Sequence, residues 1–164
     1  MILNAAEASP APSADVVVGV DVAAPSSALG VAFREAELRQ TGLLVVHGWR
    51  PKRTSLFADG PDEEDKFRRQ FGVAHQTLVE HVRPWASRYP QVPLRHKLFT
   101  LPPAESLLLA ASEGQLLVLG RHRRSHLGTL GLGQVARRCL AEAACPVLIT
   151  KENQRVELPD AFVS

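Results

Sequence analysis

The chain is poor in cysteine and in aromatic residues, and it has no long apolar run. Two cysteines occur in 164 residues, Cys139 and Cys145. They form neither a CxxC pair nor a Cys/His spacing suited to zinc, which excludes a disulfide framework and a thiol-built metal centre. Two buried thiols in a reducing compartment are expected instead. Phe, Trp and Tyr together make up only 5%. None interleaves with the arginines of the basic loop described below, so nucleic acid is not an expected partner. No apolar stretch approaches the ~18 residues that a membrane span needs. The N-terminal MILNAAEASPAPSA has neither a basic n-region nor an apolar h-region, so no secretory signal is expected and a cytoplasmic location is.

Chemistry motifs are missing too. There is no GxSxG elbow, no pair of acids on one element, no P-loop GxxxxGK[ST] and no GxGxxG. Nothing supplies a metal site or an activated water, so a nucleotide hydrolase or other enzyme is not expected.

What is present suits one folded domain. Apolar residues make up 45%, and the formal charge is only +2, enough apolar surface for a core and too little charge to dictate a polyanionic partner. Residues 1–14 are rich in Ala, Ser and Pro and are expected to form a disordered tail. Residues 15–150 form the domain, and residues 151–164 a polar C-terminal tail. Val16-Val17-Val18-Gly19-Val20-Asp21 reads as a strand buried on both faces, with an acid at its carboxyl end. A helix follows to about Gln40, with Leu29, Ala32, Phe33, Ala36 and Leu38 inward. Thr41-Gly42 ends it. Leu43 to Trp49 is a second strand, and residues 50–61 a loop.

A long amphipathic helix runs from about Asp62 to Arg88. Phe67, Phe71, Ala74, Leu78, Val82 and Trp85 recur at spacings of 4, 3, 4, 4 and 3, a single face expected to pack on the sheet. Asp62 to Asp65 favour its N-terminus, and Pro84 should bend or break it near the end. Val92 to Thr100 is a charge-broken strand placed near an edge. Pro102-Pro103-Ala104-Glu105 opens a short helix. Gln115 to Gly120 is another buried strand, Gly133 to Ala143 a helix, and Pro146 to Thr150 a last strand. This alternation predicts an α/β fold with one parallel sheet and helices on both faces.

The stretch LVLGRHRRSHLGTLGLGQV, residues 117–135, holds the most chemistry. A strand runs into Gly120 and a helix opens after Gly133, the arrangement in which backbone N–H groups and the helix dipole hold an anion. Arg121, His122, Arg123, Arg124 and His126 lie between. His47, at the end of the second strand, and the loop histidines His122 and His126 are expected to be surface or structural groups.

The runs VVVGVD, LLVVHGW, VRPWASRYPQV, LLVLG and LGQVARRCLAEAACPVLI, in that order, resemble the universal stress protein family over nearly all of residues 15–150. The resemblance implies a five-stranded parallel sheet of order 3-2-1-4-5, the adenine-nucleotide α-hydrolase-like fold. It also implies a stress-response role and a homodimer formed by pairing the last strand, here Pro146 to Thr150. Members that bind ATP carry a loop of the form G-x2-G-x9-G-[S/T]. Its outer glycines fall on Gly120 and Gly133, its second glycine on Arg123 and its hydroxyl residue on Gln134. The adenine- and ribose-side positions fall on Asp21 and on the backbone near Gly48.

A non-glycine residue forced into a left-handed conformation at Arg123 would be strained by about 1–2 kcal/mol, and its side chain would compete for phosphate space. Gln134 has no hydroxyl, though its amide can donate. Against this, Arg121, Arg123 and Arg124 add positive charge suited to bidentate phosphate contacts. The expected reading is a dimeric stress-response module whose ATP site is lost or weakened. The alternative is a working nucleotide site that binds ATP or another anion between Asp21 and the 120–134 loop.

Overall fold

A computed structural model describes residues 2–3, 14–23, 27–51, 61–120 and 133–150. Its strands are β1 (Ile2–Leu3), β2 (Val16–Gly19), β3 (Leu43–Gly48), β4 (Leu94–Phe99), β5 (Leu116–Gly120) and β6 (Val147–Thr150). Its helices are α1 (Ser27–Leu38), α2 (Pro61–Arg88), α3 (Pro103–Ala111) and α4 (Gln134–Glu142). They form one sheet of order β1-β6-β5-β2-β3-β4. Strands β2 to β6 pair in parallel throughout. Counted from β2, these five give the predicted order 3-2-1-4-5.

Two residues of the segment read as a tail, Ile2 and Leu3, pair antiparallel with β6 opposite Leu148 and Val147. The rest of residues 1–13 and the tail 151–164 lie outside the described residues.

The central strand explains the layering. Val16, Val17 and Val18 are fully buried, because helices cover both faces of a parallel sheet. Val16 and Val18 face a cluster with Phe33 and Leu29 of α1 and Leu78 and Val82 of α2. Val17 faces the other cluster, with Leu107 and Ala111 of α3 and Cys139 of α4. Helices α1 and α2 therefore lie on one face and α3 and α4 on the other. Both cysteines are free and buried, and burial pushes the Cys139 thiol up to about 11.

Four sequence expectations are corrected. Leu38 is not inward; it is 68% exposed, because α1 turns its last residue past the sheet. The glycine reading of that helix end also shifts by two residues. The left-handed residue is Gln40, at φ 52°, with Thr41 N–H donating to Ala36 O at 3.0 Å, as in a Schellman closure. Helix α2 ends at Arg88 as expected and continues through Pro84, so of the two outcomes expected at that proline the break does not occur. Its apolar stripe meets the sheet only in its C-terminal half, where Leu78, Val82 and Trp85 are buried. The reason is length. Twenty-eight helical residues span about 42 Å, while the six residues each of β3 and β4 span about 20 Å.

The projecting half finds its own partner. Trp49 N–H extends the β3–β4 ladder by donating to Phe99 O at 2.7 Å. The Trp49 ring then packs on Phe67 and Phe71 of α2, with centroids 5.6 and 5.8 Å away.

Candidate nucleotide cleft at the strand ends

Register brings the candidate residues to one edge. Gly19 of β2 is level with Val46 of β3 and with Leu119 of β5, so Asp21, Gly48 and the exit from Gly120 follow at the carboxyl ends of three adjacent strands. From β2 the chain moves first to β3 and β4 and then crosses back to β5, which makes the β2/β5 boundary the topological switch point. In open α/β sheets ligands bind in the crevice there.

Asp21 is half-buried, and its Oδ1 accepts the Ala23 N–H at 3.0 Å. This local turn holds the carboxylate at the strand end. Beside it, His47 Nδ1 lies 2.9 Å from Val20 O and ties the end of β3 to the chain leading into Asp21. A third group joins them from α2. His81 lies below the ordinary imidazole range, chiefly because burial penalises its charged form; the Asp21 carboxylate opposes that shift and His47 adds to it. The His81 Nε2 is buried and has no hydrogen-bond partner among the described residues. Sequence reasoning missed His81. The available signal was its place beside Val82, on the flank of the buried stripe of α2.

The glycines separate into two kinds. A Cβ on Gly48 would stand 2.8 Å from Pro103 Cα and 3.3 Å from Leu101 O, so glycine lets β3 approach the start of α3. Gly48 thus has a packing reason independent of any ligand. Among the described residues, a Cβ on Gly120 would meet Ala28 Cβ, at 3.6 Å, and one on Gly133 would meet nothing within 4 Å.

Gly133 is the N-cap of α4, extended at φ −60° and ψ 161°, with no side-chain cap hydrogen bond. The first N–H groups of α4 therefore have no N-cap acceptor. Because α4 runs back toward the start of β6, its N-terminus lies at the same end of the sheet as Asp21. Gln134 is its first residue. The start of α1 closes this end from the other face, where Ser27 Oγ lies 3.2 Å from Thr150 Oγ1. The structure thus brings Asp21, Gly48, Gly120, Gly133 and Gln134 to one end of the sheet. Arg123 and the loop histidines His122 and His126 lie outside the described residues.

Chemically, this edge offers a carboxylate acceptor, two imidazoles and a helix N-terminus whose glycine N-cap has no side chain to accept from it, which favours an anion. Among the described residues no cluster of three or more His, Cys, Asp or Glu could hold a metal ion, and no helix is long and apolar enough to cross a membrane.

Comparison with known proteins places this geometry. The chain is similar to the universal stress protein Rv2005c of Mycobacterium tuberculosis, at 33% identity over 141 residues, which is 85% of this chain and 46% of that protein. The chain spans about half the length of the curated relatives it matches. The structure of the universal stress protein from Archaeoglobus fulgidus superposes with a TM-score of 0.54 at 24% identity, covering 83% of this chain and 97% of that one. A universal stress protein solved in complex with cAMP superposes with a TM-score of 0.55 at 20% identity, over 85% and 98% of the two chains. The fold is the adenine-nucleotide α-hydrolase-like fold. The sequence pattern of the Universal stress protein family matches residues 14–151, and the chain belongs to that family.

Proposed function

We propose that this chain is a cytoplasmic, homodimeric stress-response module whose ATP site is lost or strongly weakened. The observation that carries the reading is the start of α4. The family's hydroxyl position is Gln134, the first helical residue, directly after a glycine N-cap that supplies no side-chain hydrogen bond. A serine or threonine there would add a hydroxyl donor toward a phosphate. Glutamine puts a longer amide in the same space and carries more rotamer entropy to be lost on ordering. Arg123, at the inner glycine position, adds a bulky side chain to the same loop. The homodimer reading is supported by β6, a strand of four residues with no charged side chain. The two buried thiols suit a reducing compartment.

The second reading is a working site for a nucleotide or another anion. It is favoured by Asp21, already held in a turn at the strand end, and by the cAMP bound to the similar universal stress protein. Calorimetric titration with ATP, ADP and cAMP separates the two, run on the native chain and on an Arg123→Gly/Gln134→Ser double variant. The native chain is expected to show no saturable binding and the variant to gain it. Micromolar binding of ATP by the native chain overturns the lost-site reading. Failure of both proteins to bind overturns the assignment of the block to these two side chains.

A further inference from the structure

The two edges of the sheet are protected differently. Across its six residues β4 carries Arg95, His96 and Lys97, and charged side chains blunt an edge against pairing with another strand. Strand β6 is Val147-Leu148-Ile149-Thr150, with no charge at all. Its inner side pairs with β5 along its whole length, from Val147 to Thr150. Among the described residues its outer side pairs with Ile2 and Leu3, opposite Leu148 and Val147. Among the described residues, this uncharged edge is paired over two of its four positions.

We infer that Ile2–Leu3 is a displaceable cover on the edge through which two copies of this chain pair. The inference rests on the homodimer reading above. The cover and a second copy's β6 compete for one edge, where Val147 turns its N–H and C=O outward opposite Leu3, so the two pairings exclude each other. Both are antiparallel: β1 runs against β6, and a twofold contact between two β6 strands must do the same.

The cover is weak because only two residues hydrogen-bond through it, while the entropy of ordering the chain opposes it. It also stays tethered when displaced. Residues 4–13 join it to Ala14, a reach of roughly 33 Å, whereas the three strand spacings from β1 to β2 amount to about 14 Å. Each copy must open its own edge, so the dimerisation constant scales with the square of the open fraction.

Sedimentation equilibrium tests this on three proteins: the full chain, a chain lacking residues 1–13, and an Ile2→Cys/Leu148→Cys variant, oxidised and then reduced. The truncated chain is expected to dimerise more tightly, by about a hundredfold where the edge of the full chain is open about one-tenth of the time. The oxidised variant is expected to be a monomer, and reduction to restore the behaviour of the full chain. Equal dimerisation by the full and truncated chains overturns the cover and leaves the homodimer reading standing. Monomers in every case overturn both. Should the truncated chain lose its circular dichroism, the oxidised and reduced forms decide alone, and the same oligomeric state in both overturns the inference.

Discussion

His47 Nδ1 lies 2.9 Å from the carbonyl oxygen of Val20, and that contact sets the chemistry of the ring. A carbonyl only accepts, so in the neutral imidazole the proton sits on Nδ1 and Nε2 presents a lone pair. The bond joins two neighbouring strands just beyond their ladder, one residue before Asp21. Replacing His47 with Ala is expected to cost about 1 kcal/mol, read as a lower midpoint in urea with an unchanged slope. An unchanged midpoint would show that water replaces the ring at no cost.

Gly48 and Gly133 are expected to respond oppositely to one added methyl group. At Gly48 the new Cβ stands 2.8 Å from Pro103 Cα, and backbone yields poorly, so Gly48→Ala should destabilise by about 1–3 kcal/mol. Gly133 has φ −60° and no described atom within 4 Å of an added Cβ, so Gly133→Ala should change stability by less than about 0.5 kcal/mol. Thermal denaturation of the two variants beside the native chain checks this, and similar losses in both would contradict the packing argument.

Gln40 stores strain that can be removed. It is exposed and left-handed at φ 52°, a conformation that glycine adopts without steric cost. Gln40→Gly is expected to stabilise the chain by about 0.5–1 kcal/mol, the relief being partly offset by the greater freedom of glycine when unfolded. Chemical denaturation measures it, and a loss of stability would mean that the side chain is worth more than the strain.

Stability is expected to fall as solution becomes mildly acidic. His81 and His96 both lie below the usual value of 6.5, in each case chiefly because burial penalises the imidazolium. Next after burial, Asp21 acts to raise the His81 value, while His75 lowers that of His96. Each ring thus binds its proton less readily folded than unfolded. Its contribution is complete above pH 6.5 and is lost as pH falls from there through the lower folded value. Denaturation midpoints taken from about pH 8 to about pH 5 should decline below 6.5, and the decline should be shallower in His96→Gln. A midpoint that rises on acidification would refute the assignment.

Much of this fold could be read from residue types because the signals were strong. Val16 to Val18 form a continuous β-branched run, and only a strand covered on both faces has that pattern. Arg95, His96 and Lys97 marked β4 as an edge because a central parallel strand could not bury three such side chains. What failed were quantities that depend on other parts of the chain. Periodicity gave the face of α2 but not how far the sheet extends beneath it, so Phe67 and Phe71 were placed on strands they do not reach. The glycine at 42 drew attention from Gln40, although a Cβ there would stand 2.6 Å from Asp15 Oδ1, a packing demand invisible to local pattern. Asp21 was legible as an acid at a strand end. His81 was not, because its place beside the buried stripe of α2 does not reveal that it lies near enough to Asp21 and His47 to feel their charge.

The mismatch between α2 and the sheet gives the molecule two tiers of cohesion. Trp85 is 9% exposed and belongs to the main core. Trp49, half-buried, packs on the other half of the same helix at Phe67 and Phe71. The outer turns, where Phe67 is 37% exposed, can therefore open at a lower free energy than the inner turns, which open with the core. A single helix thus belongs to two cooperative units, and the chain's two tryptophans, Trp49 against its outer turns and Trp85 within its inner turns, report on them separately.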